Sequence, residues 1–186
     1  MESLKQLSEL NNADPRNAAR QIADGPSASR PLTLGDVHKL ISAIQLHDAV
    51  PESIRSHFSQ AQNLAVYAWF HFPFHVTAEF MALVSVEYAL RVRYRSKATF
   101  GQLLARARDD GLLKASKVKA ANWSEQIELS NREDLVDSLP KLRNELAHGS
   151  SNLHPFSYSA LRTCAHLINR LFPKQNEGGP HLPRQG

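Results

Sequence analysis

The sequence predicts an all-α fold, a helical bundle of four to five core helices. Apolar residues recur at the spacing of one helix face in several segments, which favours amphipathic helices. No segment shows the apolar–polar alternation of a half-buried strand. The 186 residues, 42% hydrophobic and 22% charged, suit one globular domain.

The chain divides into three parts. Residues 1–32 are polar and contain the run Gly25 to Ser29, so we expect a flexible N-terminal segment with one short helix around Arg16 to Ala23. Residues 33–172 form the predicted helical domain. Residues 173–186 are rich in proline and glycine and are expected to be a disordered tail.

The helices of the domain are predicted in order. The first two have these apolar faces: Leu34, Val37, Leu40, Ile41 and Ile44, then Ile54, Phe58, Ala61, Leu64, Ala65 and Ala68. Pro73 is placed to open a long helix from about Phe74 to Tyr94, with this predicted buried stripe: Val76, Phe80, Leu83, Val84 and Tyr88. A shorter helix from Thr99 to Ala107 ends before Gly111.

Two further helices are expected towards the C-terminus. Residues 130–133, Ser-Asn-Arg-Glu, match a capping box and predict a helix start. Ser138 and Pro140 suggest a second start or a kink. The last helix is predicted over about Ser157 to Phe172.

Composition and charge limit which partners and which cellular location are expected for this protein. The net charge of +4 and a pI near 9.4 permit an anionic partner such as RNA without requiring one. The single cysteine, Cys164, cannot form an intramolecular disulfide, lies on the apolar stripe of the last helix and fits a reducing compartment. The chain does not open on a secretory signal, and its most apolar stretch, Val66 to Leu90, is interrupted by four polar residues (His71, His75, Glu79 and Glu87). We expect a cytoplasmic protein without a membrane partner.

The stretch "LPKLRNELAHGSSNL", residues 139–153, carries the candidate chemistry. On a helical wheel its core face contains Leu139, Leu142 and Leu146. Glu145 points to solvent, and Arg143, Asn144 and His148 bound one flank beside the core. An arginine at the edge of an apolar face needs a partner, either Glu87 on the long helix or a phosphate.

A histidine can exchange protons near neutral pH, which makes His148 a candidate general acid or base. A structural interpretation stands beside this one. A His–Gly pair is common where a helix ends, and Arg–Glu pairs are common in bundles.

The segment "LRNELAHG" in the penultimate helix resembles the HEPN superfamily. The hallmark of that family is an arginine, four to six residues, and a histidine, with a polar residue directly after the arginine. Arg143, Asn144 and His148 fill these positions. The preceding "VSVEYALRVRYR", which contains Glu87, and "TFGQLL" agree with the helical order, and the resemblance covers about residues 60–172.

The resemblance implies a metal-independent endoribonuclease without a cofactor, active as a homodimer in which both motifs face one cleft. There the 2′-hydroxyl of RNA attacks the adjacent phosphate. His148 would be the general base or acid, Arg143 would stabilise the developing negative charge, Asn144 would orient them, and Glu87 would support Arg143. Many relatives are toxins or antiviral effectors, often beside a nucleotidyltransferase antitoxin. Others bind a nucleotide or a partner protein without catalysis, which is the alternative function.

Two other clusters of polar residues are candidates for a binding site. Arg91, Arg93, Arg95 and Lys97 form a basic run that is either a solvated helix end or an RNA-backbone contact. His71, His75 and Glu79 are spaced by four, as metal ligands on one helix face would be. Pro73 interrupts that helix, so no metal site is expected.

Overall fold

The computed structural model describes residues 3–25, 27–113, 135–149 and 157–174. A short 3₁₀ turn at Leu7–Glu9 and helix α1, Pro15–Ala18, precede a small antiparallel hairpin. Its strands are β1, Gln21–Ala23, and β2, Ser29–Pro31, with Ile22 opposite Arg30. The longer helices are α2 Leu34–Ser42, α3 Glu52–Tyr67, α4 Phe74–Tyr94, α5 Phe100–Asp109, α6 Leu135–Ala147 and α7 Ser157–Leu171.

The described part of the chain is mostly helical, which confirms the predicted class at that level. The hairpin is a correction, because the sequence predicts no strand and a helix from Arg16 to Ala23. That helix ends at Ala18, and the chain then turns back at Gly25, where φ is +94°. Strands of three residues are too short to show the alternation that identifies a strand in sequence.

Local signals set several helix bounds as predicted. Pro73 is the N-cap of α4, whose bounds match the predicted helix. Thr99 caps α5 with a capping box to Gln102, and the chain leaves this helix at Gly111, where φ is +73°. Helix α6 runs through Pro140 without a second start at Ser138. The capping box at residues 130–133 and the tail from residue 175 lie outside the described residues.

Helix α4 is central and contacts α3, α5, α6 and α7. Its small side chains Ala78, Ala82 and Ala89 are fully buried. Of its predicted stripe only Leu83 is buried, and the other four members are half-buried. A helix packed on several sides buries most of its circumference, so no single stripe describes it. None of the described helices has the length and apolarity needed to cross a bilayer.

The N-terminal segment contacts the connection between α3 and α4. The side-chain amide of Asn17 donates to the carbonyl oxygen of Ala68 at 2.6 Å. Asp14 accepts from the backbone N–H of Phe72 at 3.1 Å and from Nη2 of Arg16 at 2.8 Å. Asp14 and Asn17 are buried, and the sequence prediction of a flexible segment did not anticipate these contacts.

Candidate functional site

The candidate site lies where α4 and α6 pack together. Nη2 of Arg143 on α6 donates to Oε2 of Glu87 on α4 at 2.7 Å. The side chain of Glu87 is 10% exposed and that of Arg143 is 27% exposed. Of the two partners that the sequence leaves open for Arg143, the internal carboxylate is the one found in the structure.

Glu87 also forms an ion pair with a second arginine, Arg91. Nη2 of Arg91, one turn later on α4, lies 2.7 Å from Oε1 of Glu87. Each carboxylate oxygen therefore accepts from a different guanidinium. One negative charge faces two positive ones, so the cluster retains a net charge of +1. From the sequence Arg91 was expected at a solvated helix end or in contact with RNA, although its i,i+4 spacing from Glu87 is a recognised ion-pair signal.

Arg143 also contacts its neighbour in the motif. Its Nη1 donates to Oδ1 of Asn144 at 3.0 Å, and its guanidinium carbon lies 6.0 Å from the ring centroid of Phe100, at the limit of a cation–π contact. Its Nε is buried and has no hydrogen-bond partner among the described residues. These contacts orient the guanidinium and leave some of its five N–H groups available to a further acceptor.

His148 follows the last helical residue of α6, one turn after Asn144. Its backbone N–H still donates to the carbonyl oxygen of Asn144 at 3.0 Å, and Gly149 ends the helix with a φ of +87°. The side chain is exposed, and within the described residues its imidazole makes no hydrogen bond or ion pair. The structure thus brings Glu87, Arg91, Arg143 and Asn144 into direct contact and leaves His148 beside them, open to solvent.

The basic run lies at the C-terminal end of the same helix α4. Arg91, Arg93, Arg95 and Lys97 are all exposed. Arg95 adopts the left-handed conformation, with φ at 47°, and so ends the helix. Arg91 belongs both to this run and to the Glu87 cluster.

The residues considered for a metal are separated by the fold. His71 precedes α4, whereas His75 and Glu79 are buried within it. No group of three potential metal ligands occurs among the residues that the structure describes. Burial raises the pKa of Glu79 to about 7. Burial, with Glu79 nearby, also raises the pKa of the Cys164 thiol, which disfavours the nucleophilic thiolate.

This arrangement can bind an anion and place an imidazole next to it. The guanidinium of Arg143 is held in one orientation, its cluster is positive, and the exposed His148 can reach a bound group without first breaking a contact to a described residue. Comparison with known proteins does not assign the site: no family model matches the chain, and neither a curated protein nor a solved structure shows significant similarity to it.

Proposed function

We propose that the protein is a metal-independent endoribonuclease of the HEPN type, which cleaves RNA as a homodimer. The observation that carries this proposal is the Arg143 guanidinium, oriented by Glu87 and Asn144, with the exposed imidazole of His148 one turn further along α6. Cleavage of a phosphodiester by an internal hydroxyl is promoted by a positioned positive charge next to a general acid or base.

The proposed reaction needs only RNA and the protein. The 2′-oxygen attacks the adjacent phosphorus and loses its proton to a base, and the bond to the 5′-oxygen breaks as that oxygen takes a proton from an acid. The products are a 2′,3′-cyclic phosphate and a 5′-hydroxyl. His148 is the proposed proton carrier, and Arg143 stabilises the negative charge that grows on the phosphorane oxygens.

The homodimer is part of the proposal because the site is open on one protomer. Asn144 and His148 are exposed, and catalytic groups act best where water is excluded. A second protomer would supply the opposite wall and a second motif. The exposed basic run of Arg93, Arg95 and Lys97 would contact the RNA backbone beside the cleft. A role as a toxin or defence effector, with an antitoxin as partner, belongs to the same proposal.

RNA cleavage in EDTA tests the proposal. Purified protein would be incubated with mixed RNAs and the chelator, and the product ends would be analysed for 2′,3′-cyclic phosphate. His148→Ala should lower the rate by roughly 10²- to 10⁴-fold, the usual contribution of an acid–base group. The matched control is His166→Ala, because His166 is also exposed and lies on a different helix, α7. Cleavage that persists in a folded His148→Ala protein would overturn the assignment.

A second candidate function is a non-catalytic helical module that binds a nucleotide or a partner protein. The observation that favours it is the same ion pair, because Arg143 already has an internal partner in Glu87. Absence of cleavage by the wild-type protein, together with a monomer in light scattering, would favour this candidate.

Arg143→Lys keeps the charge but loses the bidentate geometry, so an active enzyme should lose rate in that variant while retaining its fold.

A further inference from the structure

A cavity of about 270 Å³ lies between the N-terminal hairpin and the helices, and none of its described lining residues belongs to α6. Its walls come from β1, α2, α3, α4 and the first turn of α7. Most of its apolar wall is built by Ile22, Leu32, Val37, Leu40 and Ile41. Leu40, which lines the cavity, is 45% exposed, so the described residues leave part of this apolar wall uncovered.

Polar groups converge on the same cavity. A hydrogen bond of 2.7 Å joins Nδ1 of His75 to Oγ of Ser157, and the ring tautomer decides which of them donates. Both residues line the cavity and both are buried. Among the described residues that line the cavity there is no acidic side chain, whereas one arginine, Arg20, is present. The lining is therefore apolar along one side and electropositive at its polar end.

Arg20 differs from the other arginines of its segment. Arg16 is paired with Asp14 at 2.8 Å, and Arg30 is paired with Asp36 at 2.7 Å. The guanidinium of Arg20 has no hydrogen bond or ion pair among the described residues. Arg20 is half-buried and lines the cavity, and a guanidinium beside an apolar wall can bind a carboxylate through two parallel hydrogen bonds.

We propose that this cavity binds a small amphipathic carboxylic acid. Arg20 receives the carboxylate, and the aliphatic or aromatic body lies against Leu32, Val37 and Leu40. The volume is just below the usual range for small-molecule sites, roughly 300–1,000 Å³, so the ligand is smaller than a typical drug. The bound acid bridges the hairpin and α2, and its binding does not depend on the proposed nuclease activity.

Calorimetry with a homologous series tests this proposal. Butanoate, hexanoate and octanoate would be titrated into the full-length protein, with the alcohols of equal length as neutral probes. Affinity should rise about fourfold with each added methylene until the cavity is filled. Each acid should bind at least about tenfold more tightly than its alcohol, because the contact to Arg20 is charge-assisted.

Two variants and one control identify the site. Arg20→Gln should remove the preference for the acid and leave the dependence on chain length. Leu40→Trp should fill the cavity and lower the affinity for both probes. The control is Arg55→Gln, because Arg55 is exposed on α3 and does not line this cavity. Non-saturable binding, or an equal loss in Arg20→Gln and Arg55→Gln, would overturn the proposal.

Discussion

Nη2 of Arg143 lies 2.7 Å from Oε2 of Glu87, a contact that joins α6 to α4 across 56 positions of the chain. The carboxylate is nearly buried, whereas Arg143 and Arg91, its two cationic partners, keep part of their surface in solvent. This polar contact between α6 and α4, and in part the orientation of the candidate catalytic arginine, therefore depend on the side chain of Glu87. This dependence can be measured separately from activity.

Glu87→Gln should lower the free energy of unfolding by about 1–3 kcal/mol. The amide keeps the shape of the side chain but leaves two arginines without their anionic partner. Urea denaturation at neutral pH measures the loss. Glu145→Gln is the matched control, because Glu145 is exposed on α6, and it should change stability by less than about 0.5 kcal/mol. Equal stability of both variants would show that the Glu87 contacts contribute nothing.

His148→Ala should change the free energy of unfolding by less than about 1 kcal/mol, even though it should slow cleavage by roughly 10²- to 10⁴-fold. The imidazole is exposed and makes no hydrogen bond or ion pair with a described residue, so its removal breaks no internal contact. Thermal and urea denaturation measure the difference. A larger loss would support the second candidate function, in which His148 serves to cap its helix.

The stability of the protein should fall between pH 4.5 and pH 7 through Glu79. Burial raises the pKa of its carboxyl from 4.5 to about 7 in the folded protein. In this range the unfolded chain releases a proton that the folded chain retains. The contribution of Glu79 to the free energy of unfolding is therefore fully present below pH 4.5. It falls by about 3 kcal/mol as the pH rises to 7.

Glu79→Gln should remove this pH dependence, because an amide does not titrate. Urea denaturation of both proteins between pH 4.5 and 8 measures it, and the free energies of unfolding should converge towards low pH. Glu145→Gln should keep the wild-type profile. Parallel profiles for wild type and Glu79→Gln would contradict the raised pKa.

Asn17→Ala should destabilise the protein by about 1–3 kcal/mol, because it leaves the buried carbonyl oxygen of Ala68 without its 2.6 Å hydrogen bond. Limited proteolysis between residues 18 and 30 should become faster in this variant. Asn12→Ala, at an exposed position of the same segment, should be neutral. Equal stability and equal proteolysis rates of the two variants would contradict the packing of the N-terminal segment on the helices.

Local patterns explain why much of the helical structure could be predicted. Pro73, Thr99 and Gly111 act within one or two turns of their own position, so the bounds of α4 and the start of α5 follow from nearby residues. The same is true of Gly149, which ends α6 directly after the motif. The hairpin could not be predicted because its pairing joins two three-residue segments within a part of the chain whose polar composition indicates flexibility.

The sequence by itself determined which residues compose the motif and that Arg143 and Asn144 share one flank of a helix with His148, because helical geometry is periodic along the chain. Only the tertiary structure decided that Arg143 pairs with Glu87, that Arg91 shares this carboxylate, and that Arg20 lines the same cavity as His75 and Ser157. Such contacts depend on how separate elements pack in three dimensions, and packing is set by side chains distributed over the whole chain.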